Sequence, residues 1–292
     1  MYCIKKILLP ILLLIATVNG YCQYSSVSYY VVAQQDQWQL FMGINAYNDI
    51  SGGTNGARKK VVIIYTTAGD ESCNGVPLNI PYYQARQEGA NNCVEFCADQ
   101  WGTHETWSTS TGTVLNHQIL RTQYKNVISY CLKLTGGCYD GGLMGQSLQY
   151  LHNGTIPSMS AVDSSANYSN WDDLVKTIRA IIINESSGIN ELWLNTADTD
   201  QVINPGDHPD NIHTAHLGID AVTDIPHVSL NLYREYITAS LPINLSDKDI
   251  ATESALLSLL DYGRTEKSQP SEWNSLHVSF TSRNYCRTII KH

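Results

Sequence analysis

The chain has 292 residues, 43% of them hydrophobic and 15% charged, and a formal net charge of −9. No basic cluster interrupts the acidic balance, so nucleic acid and anionic membrane are poor expected partners. The length allows a large buried core within one α/β domain.

Residues 1–22 read as a secretory signal. Lys5 and Lys6 supply the basic start, Ile7 to Ala16 form an apolar core broken by Pro10, and Thr17, Asn19 and Gly20 follow. That core is too short to span a bilayer. Tyr21-Cys22-Gln23 is a poor lipid-attachment sequence, so simple cleavage near Gly20 or Cys22 is expected. The expected product is an exported (secreted or periplasmic) single domain over 23–292. Loss of Lys5 and Lys6 takes the charge from −9 to −11. Cys73, Cys93, Cys97, Cys131, Cys138 and Cys286 remain, and export with an even count predicts up to three disulfides. Cys131 and Cys138 flank Thr135-Gly136-Gly137 and form the expected local pair. Zinc binding by cysteines is the weaker reading, because no close Cys-x-x-Cys occurs.

The first strand is expected over about 27–33, from Tyr29-Tyr30-Val31-Val32-Ala33. Leu40, Phe41, Ile44 and Tyr47 then recur at helical spacing, and Ser51-Gly52-Gly53 with Asn55-Gly56 breaks the chain. Val61 to Tyr65 is a second strand, and a helix follows over about 82–99. Residues 103–168 are rich in Thr, Ser, Gly and Tyr and predict an irregular middle insertion. A helix is expected from Ser169, with Asp172 completing a capping box and Gly188 ending it. Glu191 to Asn195 is another strand. A late helix is expected from Ser246, with Asp249 as capping partner and Gly263 as its stop. The order β-α-β-α predicts a Rossmann-like α/β domain with a mostly parallel sheet flanked by helices. In such sheets ligands bind beyond the carboxyl ends of the strands. That edge collects Asp36, Asp70, Asp198 and His208.

Two polar runs stand at this edge, Gln34-Gln35-Asp36-Gln37-Trp38 and Asp207-His208-Pro209-Asp210-Asn211. Their placement resembles the PIG-L/LmbE-like family of zinc-dependent N-acetylglucosaminide deacetylases, which writes the first run His-Pro-Asp-Asp-Glu or His-Gln-Asp-Asp-Trp and the second His-Pro-Asp-His or His-Ser-Asp-His. Thr67-Ala68-Gly69-Asp70, Arg86-Gln87-Glu88-Gly89-Ala90, Leu132-Lys133-Leu134 with Asp140-Gly141-Gly142, Leu148-x-x-Leu151, Ala161-Val162-Asp163 with Tyr168, and Tyr233 through Pro242 to Ser246 match further family segments in order. The resemblance covers nearly the whole mature chain. It implies amide hydrolysis of N-acetylated amino sugars, with Asp36 as general base, His208 assisting the leaving amine, Asp210 orienting it, and Asp70 and Arg86 contacting substrate.

The same resemblance puts the zinc positions at Gln34, Gln37 and Asn211. Catalytic zinc usually takes three His or carboxylate ligands and activates a bound water, and neutral amides supply neither charge nor good ligation. No bound cofactor is therefore expected. Calcium wants six to eight oxygen ligands, more than Asp36 and two amides offer, and His213 and His216 belong to a helix face. Three readings follow. The leading one is a catalytically impaired glycan-binding or non-catalytic relative. The alternatives are an active deacetylase with unusual metal use and a structural or interaction protein whose crevice is filled. Asp36 reads equally as a helix cap, and His208 equally as a satisfied loop histidine. Ser147 lacks the second glycine of a nucleophile elbow.

Overall fold

The computed structural model describes residues 24–69, 80–137 and 145–290. The expected signal segment, Asp70, Cys73, Cys138 and the Asp140–Gly142 turn lie outside them. Strand β1 (Ser26–Val32) is buried along its full length. It pairs in parallel with β2 (Lys59–Thr67) on one side and β8 (Glu191–Ala197) on the other. Strand β5 (Val127–Leu134) extends the parallel pairing beyond β2, and β9 (Val228–Tyr233) extends it beyond β8. Antiparallel edges complete eight strands in the order β10-β9-β8-β1-β2-β5-β4-β3, with β3 at Ser108–Val114, β4 at His117–Tyr124 and β10 at Cys286–Ile289. The fold is Rossmann-like.

Continuous apolar runs make the central strands, because helices cover both faces of the sheet. On one face Tyr29, Val31, Val62 and Ile64 pack with Leu174, Ile178, Ile181 and Ile182 of α5 (Trp171–Glu185) and Leu217 of α6 (Pro209–Ala221). On the other, Tyr30, Val32, Ile63 and Tyr65 meet α1 (Gln37–Phe41), α2 (Gly43–Gly52), α3 (Ile80–Ala98) and α7 (Asp247–Thr265).

Several local expectations shift. The middle segment is more regular than its composition suggests, since β3 to β5 form an antiparallel meander that adds three strands to the sheet. The irregular remainder holds α4 (Leu148–His152) and a short pair, β6 (Met159–Ser160) with β7 (Asn167–Tyr168). Asn170, not Ser169, caps α5 by accepting from Asp173 N at 2.9 Å. Ser246 caps α7 as expected, through Asp249 N at 3.3 Å. That helix runs on through Gly263, because Gly263 and Gly89 let α7 and α3 touch backbone to backbone, where any Cβ would collide.

No disulfide joins the described cysteines, and Cys138, the expected partner of Cys131, lies outside the described residues. Cys93, Cys97, Cys131 and Cys286 carry free thiols. The pleat of β5 turns Cys131 onto the face covered by α3, where its Sγ lies 3.1 Å from Gln87 Oε1. Burial pushes its thiol up to about 12. Among the described residues no helix is long and apolar enough to cross a membrane.

Candidate functional site

Four connections leave the carboxyl ends of β1, β2, β8 and β9 and meet at one edge. The turn after β1 carries Gln34 to Gln37. Trp38 is pulled wholly into the core, where its Nε1 donates to Tyr65 OH at 2.9 Å. Asp36 occupies the cap position of α1, but its side chain makes no capping hydrogen bond, so capping is not the carboxylate's role. Its Oδ1 instead lies 2.5 Å from Arg86 Nη2. The same Arg86 donates to Gln34 Oε1 at 2.8 Å and to Gly69 O at 3.1 Å. Burial raises the Asp36 carboxyl, but Arg86 foremost, with His277 and Arg264, brings it below the ordinary value. Asp36 is thus a carboxylate held by a buried guanidinium. Arg86 is 4% exposed and committed to Asp36, Gln34 and the Gly69 backbone.

The second run is built on the start of α6. His208 caps that helix, its Nδ1 accepting from Asp210 N at 3.1 Å. That bond places the ring proton on Nε2. Burial pushes His208 down to about 4, with Asp36 opposing and Arg86 reinforcing the shift. At neutral pH it is an uncharged donor. Asp210 Oδ2 accepts from Gly137 N at 2.7 Å and stands 3.8 Å from His208 Nδ1. The His208 ring is therefore set by the Asp210 backbone rather than by its carboxylate. Asp198 belongs to a different contact, a paired ion bridge to Arg287 at 2.5 and 2.9 Å.

Gln37 and Asn211 meet at Glu235, two positions beyond β9. Gln37 Nε2 donates to Glu235 Oε1 at 2.7 Å, and Asn211 Nδ2 donates to Oε2 at 2.6 Å. Asn211 also reaches Asp207 Oδ1 at 3.0 Å, and Asn204 Nδ2 reaches Asp207 Oδ2 at 2.7 Å. Asn204 Oδ1 accepts from Glu235 N at 2.9 Å, and Gln37 Oε1 accepts from Ala33 N at 2.5 Å. Glu235 is fully buried. Burial, then Asp207, pushes its carboxyl well up, and burial pushes Asp207 up to about 6 against its amide donors. Two such carboxyls in contact favour one shared proton.

This arrangement does not fit zinc. The Gln37 and Asn211 amides direct N–H groups at Glu235, and an N–H is not a ligand. The Gln37 oxygen is taken by the Ala33 backbone, and the Gln34 oxygen faces a guanidinium that would repel a dication. Among the described residues no group of three His, Cys, Asp or Glu side chains stands ready to hold a metal. No step through a metal-bound water is derived for this edge.

Beside this network, between α3 and β5, lies a cavity of about 160 Å³ lined by Gln35, Tyr83, Gln84, Gln87, Asn91 and Lys133, among others. Gln35 is 2% exposed, and among the described residues its Oε1 has no hydrogen-bond partner. Sequence reading missed Glu235, Asn204 and Gln35. Glu235 did leave a signal, since it follows the end of a strand at the ligand-binding edge. Comparison of the chain with protein-family models, curated proteins and solved structures finds no match.

Proposed function

We propose that the chain is a divergent relative of the PIG-L/LmbE-like deacetylases that has given up metal-dependent hydrolysis and binds an amino-sugar-containing glycan. The observation that carries the non-catalytic half is the Gln37–Glu235–Asn211 clamp. Where the family resemblance puts two zinc ligands, both amides are spent on one buried carboxyl group. With no metal to lower its pKa, a water there is a weak nucleophile at neutral pH. Asp36, tied to Arg86, does not replace the ion.

The binding half rests on the adjacent cavity. Its amide and phenol groups match the hydroxyls and acetamide of an N-acetylated sugar, and Gln35 in its lining carries an Oε1 with no hydrogen-bond partner among the described residues. The test uses N-acetylglucosamine oligomers as probe. Calorimetry is expected to show binding without acetate release, with or without added zinc. Acetate release that disappears in Asp36→Asn would overturn the reading and restore an active hydrolase. The frame itself is tested by the triple change Gln34→His, Gln37→Asp and Asn211→His, which rebuilds two histidines and a carboxylate. A gain of one zinc equivalent over the parent supports the family frame; no gain counts against it.

A further inference from the structure

Beyond its first turn, α6 carries a second cluster. His213 and His216 are three residues apart and share a helix face. Helix α4 ends on His152 against that face, with His152 Nδ1 and His213 Nδ1 2.8 Å apart. The His216 ring centre lies 5.3 Å from that of His152 and 6.0 Å from that of His213. All three rings are partly exposed, so dissolved ions reach them. The Trp171 indole stacks on His152 at 4.0 Å and 16°, and its Nε1 donates to Asp220 Oδ2 at 3.1 Å. Neither the Glu235 clamp nor the Gln35 cavity uses any of these groups.

We propose that His152, His213 and His216 form a binding site for a divalent transition-metal ion of the zinc and copper class. Imidazole nitrogen is a favoured ligand of these ions. Two nitrogens on one tetrahedral zinc, each about 2.0–2.1 Å away, stand roughly 3.3 Å apart. The observed pair is closer by about half an ångström, a distance that small ring rotations cover. The 2.8 Å contact between the two Nδ1 atoms requires one of them to accept, so a ring lone pair already stands at the site. Asp220, one turn beyond His216, adds negative charge at the rim. No three side chains among the described residues stand in ligating geometry beforehand, so the site requires the His216 ring, 5.3 Å centre to centre from that of His152, to rotate toward the pair. The proton now between the two Nδ1 atoms moves to an Nε2 through solvent, and no net proton is released.

The experiment titrates zinc chloride, then copper(II) chloride, into the full chain at neutral pH. Calorimetry is expected to give one saturable zinc equivalent. His213→Gln should weaken it more than about tenfold, since loss of even an outer partner of a metal ligand costs about 10–100-fold. His216→Gln, at the exposed rim, carries the same test if replacing His213 disturbs α4. Exposed His227→Asn should bind as the parent does. Copper should quench Trp171 emission in the parent, and the quench should vanish in Trp171→Phe and in His213→Gln. Full-strength binding in both the His213 and His216 variants, or no saturable binding by the parent, overturns the proposal. Loss of binding in Asp36→Asn, with His213→Gln unaffected, would place the ion at the crevice and overturn both this proposal and the non-catalytic reading. Failure of the histidine variants alone to matter leaves that reading standing.

Discussion

Gln37 and Gln35 sit two residues apart on the turn that leaves β1, and each is 2% exposed. Every polar group of the Gln37 side chain that the clamp needs is matched, its oxygen by the Ala33 backbone and its nitrogen by Glu235. The Gln35 oxygen has no such match among the described residues, and its residue lines a cavity. Burial is equal, so burial does not separate structure from function here. Hydrogen-bond saturation does, because an unpaired buried acceptor costs about 1–3 kcal/mol and needs a reason to persist.

The sharpest way to break this contrast is to unmake the saturated side. Arg86→Met keeps the side-chain stem but leaves the Asp36 carboxylate buried with its main partner gone. Removing one member of a buried ion pair costs about 3–5 kcal/mol, and urea denaturation should show a loss of that order. A loss under about 1 kcal/mol would mean that solvent already screens Asp36. Glu235→Ala comes next. It strands the Gln37 amide nitrogen and leaves Asn211 Nδ2 with Asp207 alone, at about 1–3 kcal/mol for each unmet donor. Glu235→Gln should cost clearly less, because an amide imitates a protonated acid in shape and neutrality. Equal losses in the two variants would sink the shared-proton account of the Glu235–Asp207 pair.

A smaller effect appears in the pH dependence of stability. Asp207 is raised to about 6 in the fold, so its contribution is full below the ordinary carboxyl value and is lost as pH rises through about 6. His208 and His213 are lowered to about 4. Their contribution is present above the ordinary imidazole value and is lost as pH falls through about 4. The two trends oppose each other between about pH 4 and 6.5 and should flatten the stability curve there. Melting temperatures of Asp207→Asn across that range should lose the alkaline-side decline and keep the acid-side one. The difference is expected to be on the order of 1–3 kcal/mol. An unchanged profile would show that Asp207 titrates normally.

Much of the sheet was legible because its central strands are buried on both faces and read as unbroken apolar runs, as in Tyr29 to Val32 and Val61 to Tyr65. The meander over β3 to β5 was not. Its Thr- and Ser-rich outer strand is exposed along most of its length, and such residues look the same in a loop as in an edge strand. The Ser246 cap was readable because it is local. The stop at Gly263 was misread because that glycine answers to α3, 174 residues away at Gly89. The site divides in the same way. Gln34, Gln37 and Asn211 stood out by position, but Glu235, the common neighbour of Gln37 and Asn211, lies just beyond a strand on the far side of the sheet edge. Cys131 followed the pleat of its strand rather than its sequence distance to Cys138. Contacts that the chain makes locally can be read from it, whereas contacts made across the sheet edge need the topology.

The finest test falls on the unsaturated side. Gln35→Met preserves length and volume while deleting the unpaired oxygen. If that oxygen serves only the fold, the change should cost stability as Glu235→Ala does. If it waits for a ligand, stability should stay within about 0.5 kcal/mol of the parent, since no internal hydrogen bond is lost. Affinity for N-acetylglucosamine oligomers should then fall by about tenfold, the equivalent of one neutral hydrogen bond of about 1.4 kcal/mol. Calorimetry on the same protein samples reads both quantities. Unchanged affinity with unchanged stability would remove the cavity from the binding account. A scaffold with a filled crevice would then become the better reading. A loss of affinity without a loss of stability separates the two regions at the level of single side chains on one turn.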